Sequence, residues 1–226
     1  MNLLENAVTL CFALAVCTFF NIRRSTPDDA EGILHAHYSA VHETAKIDYS
    51  EQVLNVWSAP IDAQRIATRR TKIETDKSVI SFVAVDKVGT VFGFGELVPP
   101  ETLGAIYVAA SAGRRGVASA LFNTLEAGAR ELGIKVLRME SSLTAVPFYV
   151  KHGFCELQRR THRLTGGLTM ACVFMEAGYP LDSPNPKGLC FAARFFGLRV
   201  NDLMTGNRIN GDSLLGETKE QLSPTS

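Results

Sequence analysis

Apolar and polar residues fall in blocks along this chain, and the spacing within each block predicts its element. From Ala7 to Phe20 the run AVTLCFALAVCTFF is continuously apolar. It is shorter than the ~20 residues a helix needs to cross a bilayer. A secretory leader would carry basic residues ahead of such a run, yet only Glu5 stands there, and Arg23 and Arg24 come after it. The run is read as a buried extra helix or as a leader left by a misassigned start. Membrane attachment ranks below both.

Asn21–Arg24 is read as a first strand, and Thr26-Pro27-Asp28-Asp29 as a helix start with Pro27 at the first helical position. A helix follows from Ala30 to about Glu43, and a second helical region from Ser50 through Arg69. Val79–Val85 and Val91–Val98 predict a hairpin across Asp86-Lys87-Val88-Gly89. From Leu103 to Leu132 the pattern reads as strand, short basic glycine loop and long amphipathic helix. Val117, Ala120, Leu121, Leu125 and Leu132 keep helical spacing, and Gly133 stands where a left-handed cap is wanted. Lys135–Ser141 predicts another strand. Ser142–Gly153 predicts a short helix, capped by Ser141 or Ser142, with Pro147 near its first turn and Gly153 as its stop. Phe154–Leu164 and Leu168–Met175 close the pattern as a hairpin across Gly166-Gly167. The order describes a mixed α/β chain with one central sheet flanked by helices on both faces.

Composition narrows the class. With 226 residues, 46% of them hydrophobic and 20% charged, the chain can bury one good core. Residues 1–20 are read as the apolar segment, 21–180 as the domain, and 181–226 as a partly disordered extension rich in Pro and Ser near its start. Lys+Arg and Asp+Glu both total 23, so no basic field favours nucleic acid. The five cysteines form no CxxC pair and no disulfide framework, which fits the cytoplasm. Cys155 and Cys172 are read as small hydrophobes in strands. His35, His37 and His42 stand two and five residues apart, whereas metal ligands on one helical face need three or four, so no metal is assigned.

The candidate chemistry lies at the glycine loop. Gly113-Arg114-Arg115-Gly116-Val117-Ala118 places small residues where the backbone turns into a helix. Several N–H groups can converge there on an anion at the positive end of the helix dipole, and two guanidinium groups add charge. The loop is not a Walker loop, since no Gly-Lys-Ser/Thr follows, and it lacks a full GxGxxG. One strand later comes Phe148-Tyr149-Val150-Lys151-His152-Gly153-Phe154.

Together these segments resemble the GNAT superfamily of acyl-CoA-dependent N-acyltransferases. Gly116 and Ala118 match its Q/R-x-x-G-x-G/A pyrophosphate signature, and Phe148-Tyr149 with Gly153-Phe154 matches its "FY…GF" segment. The likeness runs over roughly Ile22 to Tyr179. It departs at the first motif position, where Gly113 stands in place of Gln or Arg. The resemblance implies acetyl-CoA as co-substrate and a small-molecule or peptide amine as acceptor, and a homodimer is compatible with it. The pyrophosphate would lie on Gly113, Arg114, Arg115, Gly116, Val117, Ala118 and Ser119, and the family's oxyanion donor falls near the Val108 amide. That contact calls for an irregularity in the strand.

Attack of an amine on a thioester needs a neutral amine and a proton for the departing thiolate. An alkyl ammonium with a pKa of ~10.4 requires a base. Glu96 is the first candidate base and Glu140 the second; the alternative for either is an ion pair with an arginine. Tyr149 occupies the position of the family's general acid. Substrate choice is assigned to the first helices and the closing hairpin, including His37, Tyr38, Trp57 and Arg163. The competing reading is a non-catalytic module that binds acyl-CoA as a sensor or scaffold.

Overall fold

Strand-forming segments separated by tight turns build a single seven-stranded sheet in the computed structural model, which describes residues 20–178. The strands are β1 (Asn21–Arg24), β2 (Ile80–Val85), β3 (Val91–Val98), β4 (Thr102–Val108), β5 (Val136–Ser142), β6 (Cys155–Arg163) and β7 (Thr169–Gly178). Their order is β1-β2-β3-β4-β5-β7-β6, antiparallel at every step except between β4 and β5. The helices are α1 (Ala30–Ser39), α2 (Glu51–Trp57), α3 (Ala63–Thr75), α4 (Val117–Glu131) and α5 (Val146–Lys151). The readings placed on residues 1–19 and 179–226 lie outside the described residues. Among the described residues no helix is long and apolar enough to cross a membrane.

Helices cover both faces of the sheet. On one, Ile33 and Ala36 of α1 pack with Val83, Val85 and Phe94, joined by Ile73 of α3. On the other, Phe122 and Leu125 of α4 and Tyr149 of α5 pack with Leu97, Leu103, Leu137 and Met175. Leu125 is fully buried, which contributes roughly 1.5–3 kcal/mol relative to an exposed side chain. A Cβ on Gly95 would lie 2.7 Å from Leu125 Cδ1, so glycine at that point of β3 lets α4 approach closely. The helix ends as its pattern predicts: Gly133 has φ 70, and the Ile134 amide donates to the Ala129 carbonyl at 2.9 Å.

Two helical readings are corrected. The region from Ser50 through Arg69 is two helices, broken after Trp57. Pro60 disfavours helical backbone at Ala59, and Asp62 restarts the chain by accepting from the Arg65 amide at 2.8 Å. The second helix then runs past Arg69 to Thr75. The helix expected to reach Glu43 leaves α geometry at Ser39 and continues through a π turn over Ala40–Thr44. Cys172 is free and buried, as expected.

Candidate active site

The site begins where the sheet opens. β4 and β5 pair at Thr102↔Arg138 alone, held by the Arg138 amide donating to the Glu101 carbonyl at 2.8 Å. Beyond that rung they diverge. The Ala109 amide donates to the Phe92 carbonyl at 2.8 Å, so the Gly93↔Val108 pair is a non-hydrogen-bonded one. By the alternation of an antiparallel ladder, the Val108 and Ile106 amides point away from β3, into the gap beside β5. The irregularity in β4 does not lie near Val108. Glu96 faces Ala105 and Leu97 faces Leu103, which leaves Gly104 as the extra residue of a bulge. The Val108 amide is spared by the parting of two strands, not by a local kink.

At the far end of the gap, the glycine loop turns into α4. Arg114 has φ 60 and Gly116 φ 82, two left-handed positions that curl the backbone before Val117 enters the helix. Val117 is buried and anchors the turn, while Gly113, Arg114, Arg115 and Gly116 are exposed. No atom lies within 4 Å of where a Gly116 Cβ would stand. The loop thus presents an exposed turn at the positive end of a 15-residue helix, an arrangement that fits a diphosphate.

A cavity of about 560 Å³ occupies the gap. Its walls include Gly104 to Tyr107 of β4, Met139 to Ser142 of β5, Trp57 of α2 and Tyr149 of α5. Tyr149 is only 3% exposed yet lines this space. Burial raises its phenol well above the ordinary tyrosine range, so it stays in the O–H form. Burial likewise pushes Tyr107 up to about 12, against the opposing effect of a hydrogen bond from the Trp57 indole.

The two candidate bases part company. Glu140 lines the cavity, and its carboxylate accepts from His162 Nδ1 at 2.8 Å. Glu96 borders a separate pocket with Arg24, Lys72 and Ser81, where Arg69 engages its carboxylate. Both partners of that pair are 13% exposed. Glu96 thus takes the ion-paired alternative, because β3 directs it to the face that α3 covers.

Of the positions assigned to substrate choice, Trp57 stands on the cavity wall. His37 sits one layer behind, its ring edge-on to Tyr107 with centroids 4.4 Å apart. Burial, with Arg65 and Arg69 nearby, lowers the His37 pKa to about 4. Ser58 ties the histidines together: its hydroxyl hydrogen-bonds His37 Nδ1 at 3.0 Å, and its carbonyl meets His42 Nε2 at 2.8 Å. Tyr38 stacks on His42 at 4.0 Å, and neither Tyr38 nor Arg163 is among the lining residues.

Sequence reasoning missed Tyr49, Tyr107 and His162. Tyr49 donates to the Ala171 carbonyl at 2.7 Å and accepts from the Leu143 amide at 2.8 Å. It thereby pins the segment before α2 to β7 and to the lead-in of α5, fixing the cavity wall. No local pattern marks these three residues, since each acquires its place from a partner distant in the chain.

A sheet split at its middle, with a glycine loop and helix at one end of the split, defines an acyl-CoA-type transferase fold. Residues 45–169, more than half of the chain, match the family described as the acetyltransferase (GNAT) domain, and the chain belongs to that family. Its fold is similar to a GCN5-related N-acetyltransferase from Rhodopseudomonas palustris, at 24% identity over 70% of this chain and 95% of that one, with a TM-score of 0.62. PaiA N-acetyltransferase from Thermoplasma acidophilum, in complex with coenzyme A, is 18% identical over 71% of this chain and 99% of its own, with a TM-score of 0.55. YncA from Salmonella typhimurium, with acetyl-CoA, is 19% identical over 74% and 96%, with a TM-score of 0.52. No curated protein matches the chain.

Proposed function

We propose that this protein transfers an acetyl group from acetyl-CoA to the primary amine of a small molecule or peptide, by direct attack on the thioester. One observation carries the reading: a buried tyrosine lines a cavity that opens where β4 and β5 separate. Bound coenzymes in the PaiA and YncA structures support the choice of donor. Amides from Arg114 to Ser119 grip the diphosphate. The Ile106 and Val108 amides, left unused by β3, receive the pantetheine arm and the thioester carbonyl oxygen. When bound, acetyl-CoA supplies an activated acyl group.

Each remaining step falls to a side chain. Tyr149, held protonated by burial, donates its hydroxyl proton to the departing sulfur. The amine loses its proton on the side of the cavity lined by Glu140. Trp57 and Tyr107 form an aromatic wall against which the acceptor lies.

Thiol release from acetyl-CoA across a panel of primary amines tests this reading. We expect turnover with at least one amine, and a fall in kcat of roughly 100-fold or more in Tyr149→Phe with the KM for acetyl-CoA little changed, the range for a lost general acid. Coenzyme A binding with no thiol release for any amine would establish a binding module instead.

A further inference from the structure

Three strands bring together a pair of side chains that no local pattern connects. Along β7, Phe174 faces Glu140 of β5, and Met170 faces His162 of β6. Cys172 lies between those two rungs. Leu137 and Met139 point into the core under α4 and α5, so Glu140 stands on the opposite face of β5. His162 meets it there across β7, with Nδ1 2.8 Å from Oε2. Both side chains line the cavity and are 52% and 39% exposed, open to an incoming molecule.

We propose that His162 is the proton acceptor for the attacking amine and that Glu140 is the residue that positions it. This rests on the transfer reading above. A carboxylate can only accept, so the hydrogen of the pair resides on His162 Nδ1, and in the neutral ring the lone pair lies on Nε2. Nε2 is thereby turned into a base, while Glu140 fixes the ring and balances the imidazolium that forms. Charged neighbours on this face are Arg138 of β5, drawn to Glu101 and Glu176, and Arg160 of β6, held 4.0 Å over the Phe174 ring.

The step balances. As the N–C bond forms and the C–S bond breaks, the amine proton passes to Nε2 and the Tyr149 proton to sulfur. The imidazolium then releases its proton to solvent, and Tyr149 takes one back. Amine and thioester have become amide and thiol.

The experiment uses the full chain, acetyl-CoA and the best primary amine of the panel. His162→Ala is expected to lose at least 100-fold in kcat with the KM for acetyl-CoA within twofold, and added imidazole to restore at least tenfold. Glu140→Gln is expected to lose about tenfold. In the coenzyme A complex, histidine 15N spectra should show His162 with hydrogen on Nδ1 and none on Nε2. A His162→Ala enzyme within threefold of wild type overturns the proposal, as does the opposite tautomer or a loss confined to KM. Wild-type protein that binds coenzyme A but acetylates no amine sinks the transfer reading itself, an outcome distinct from turnover that survives without His162.

Discussion

Acidification should weaken this protein through one buried histidine before its carboxylates respond. His37 is enclosed by Tyr107, Trp57 and Phe94, and burial with Arg65 and Arg69 nearby lowers its pKa from 6.5 to about 4. Its folded pKa lies below the unfolded value, so the stability gained by keeping it neutral is whole above about pH 6.5. That contribution declines as pH falls through the interval and is gone below about 4. A gap of about 2.5 units at ~1.4 kcal/mol each amounts to about 3 kcal/mol. For a domain of this size that corresponds to about 6–12 °C in Tm. Urea unfolding of wild type and His37→Gln at several pH values between 7 and 4 measures it. The wild-type curve should fall by about 3 kcal/mol more than that of the variant. Parallel curves would refute the assignment. Asp29 does not confuse the window: although burial opposes it, hydrogen bonds from Arg23 and Thr26 hold its carboxyl below the usual range, so its loss comes at lower pH.

Other outcomes follow from the same geometry. Gly116→Val forces a β-branched residue to φ 82, which should cost about 1–2 kcal/mol and weaken coenzyme A binding at least tenfold by calorimetry; unchanged affinity would remove the loop from the donor site. Leu125→Ala, at a fully buried position under β3, should lower the unfolding free energy by about 2–5 kcal/mol, read by denaturant titration. Glu96→Gln strips Arg69 of its partner and should destabilise by about 3 kcal/mol while turnover stays within threefold. A hundredfold fall in kcat with stability intact would return Glu96 to the chemistry.

Periodicity and turn chemistry are local properties, and for that reason the element order was legible from the chain alone. The strand, glycine loop and helix from Leu103 to Leu132, the αL stop at Gly133 and the Gly166-Gly167 hairpin all follow from residues a few positions apart. The family likeness rested on the same short-range signals. The helix break after Trp57 was legible too, in Pro60 and Asp62, but helical spacing on either side masked it.

Nothing local could decide which of two glutamates faces the cavity. Glu96 and Glu140 each lie two residues before the end of a core strand, and strand register with the helix packed above determines that α3 brings Arg69 to one and β6 brings His162 to the other. The single rung between β4 and β5 is equally a tertiary matter, because the position of a strand end depends on what its neighbour does. By itself, the sequence determined most of the elements, their order and the turn at the glycine loop, since those depend on backbone preferences within a few residues. Only the tertiary structure decided the opening in the sheet and the partners of each carboxylate, since those depend on contacts between residues up to 27 positions apart for Arg69 and Glu96 and 22 for Glu140 and His162.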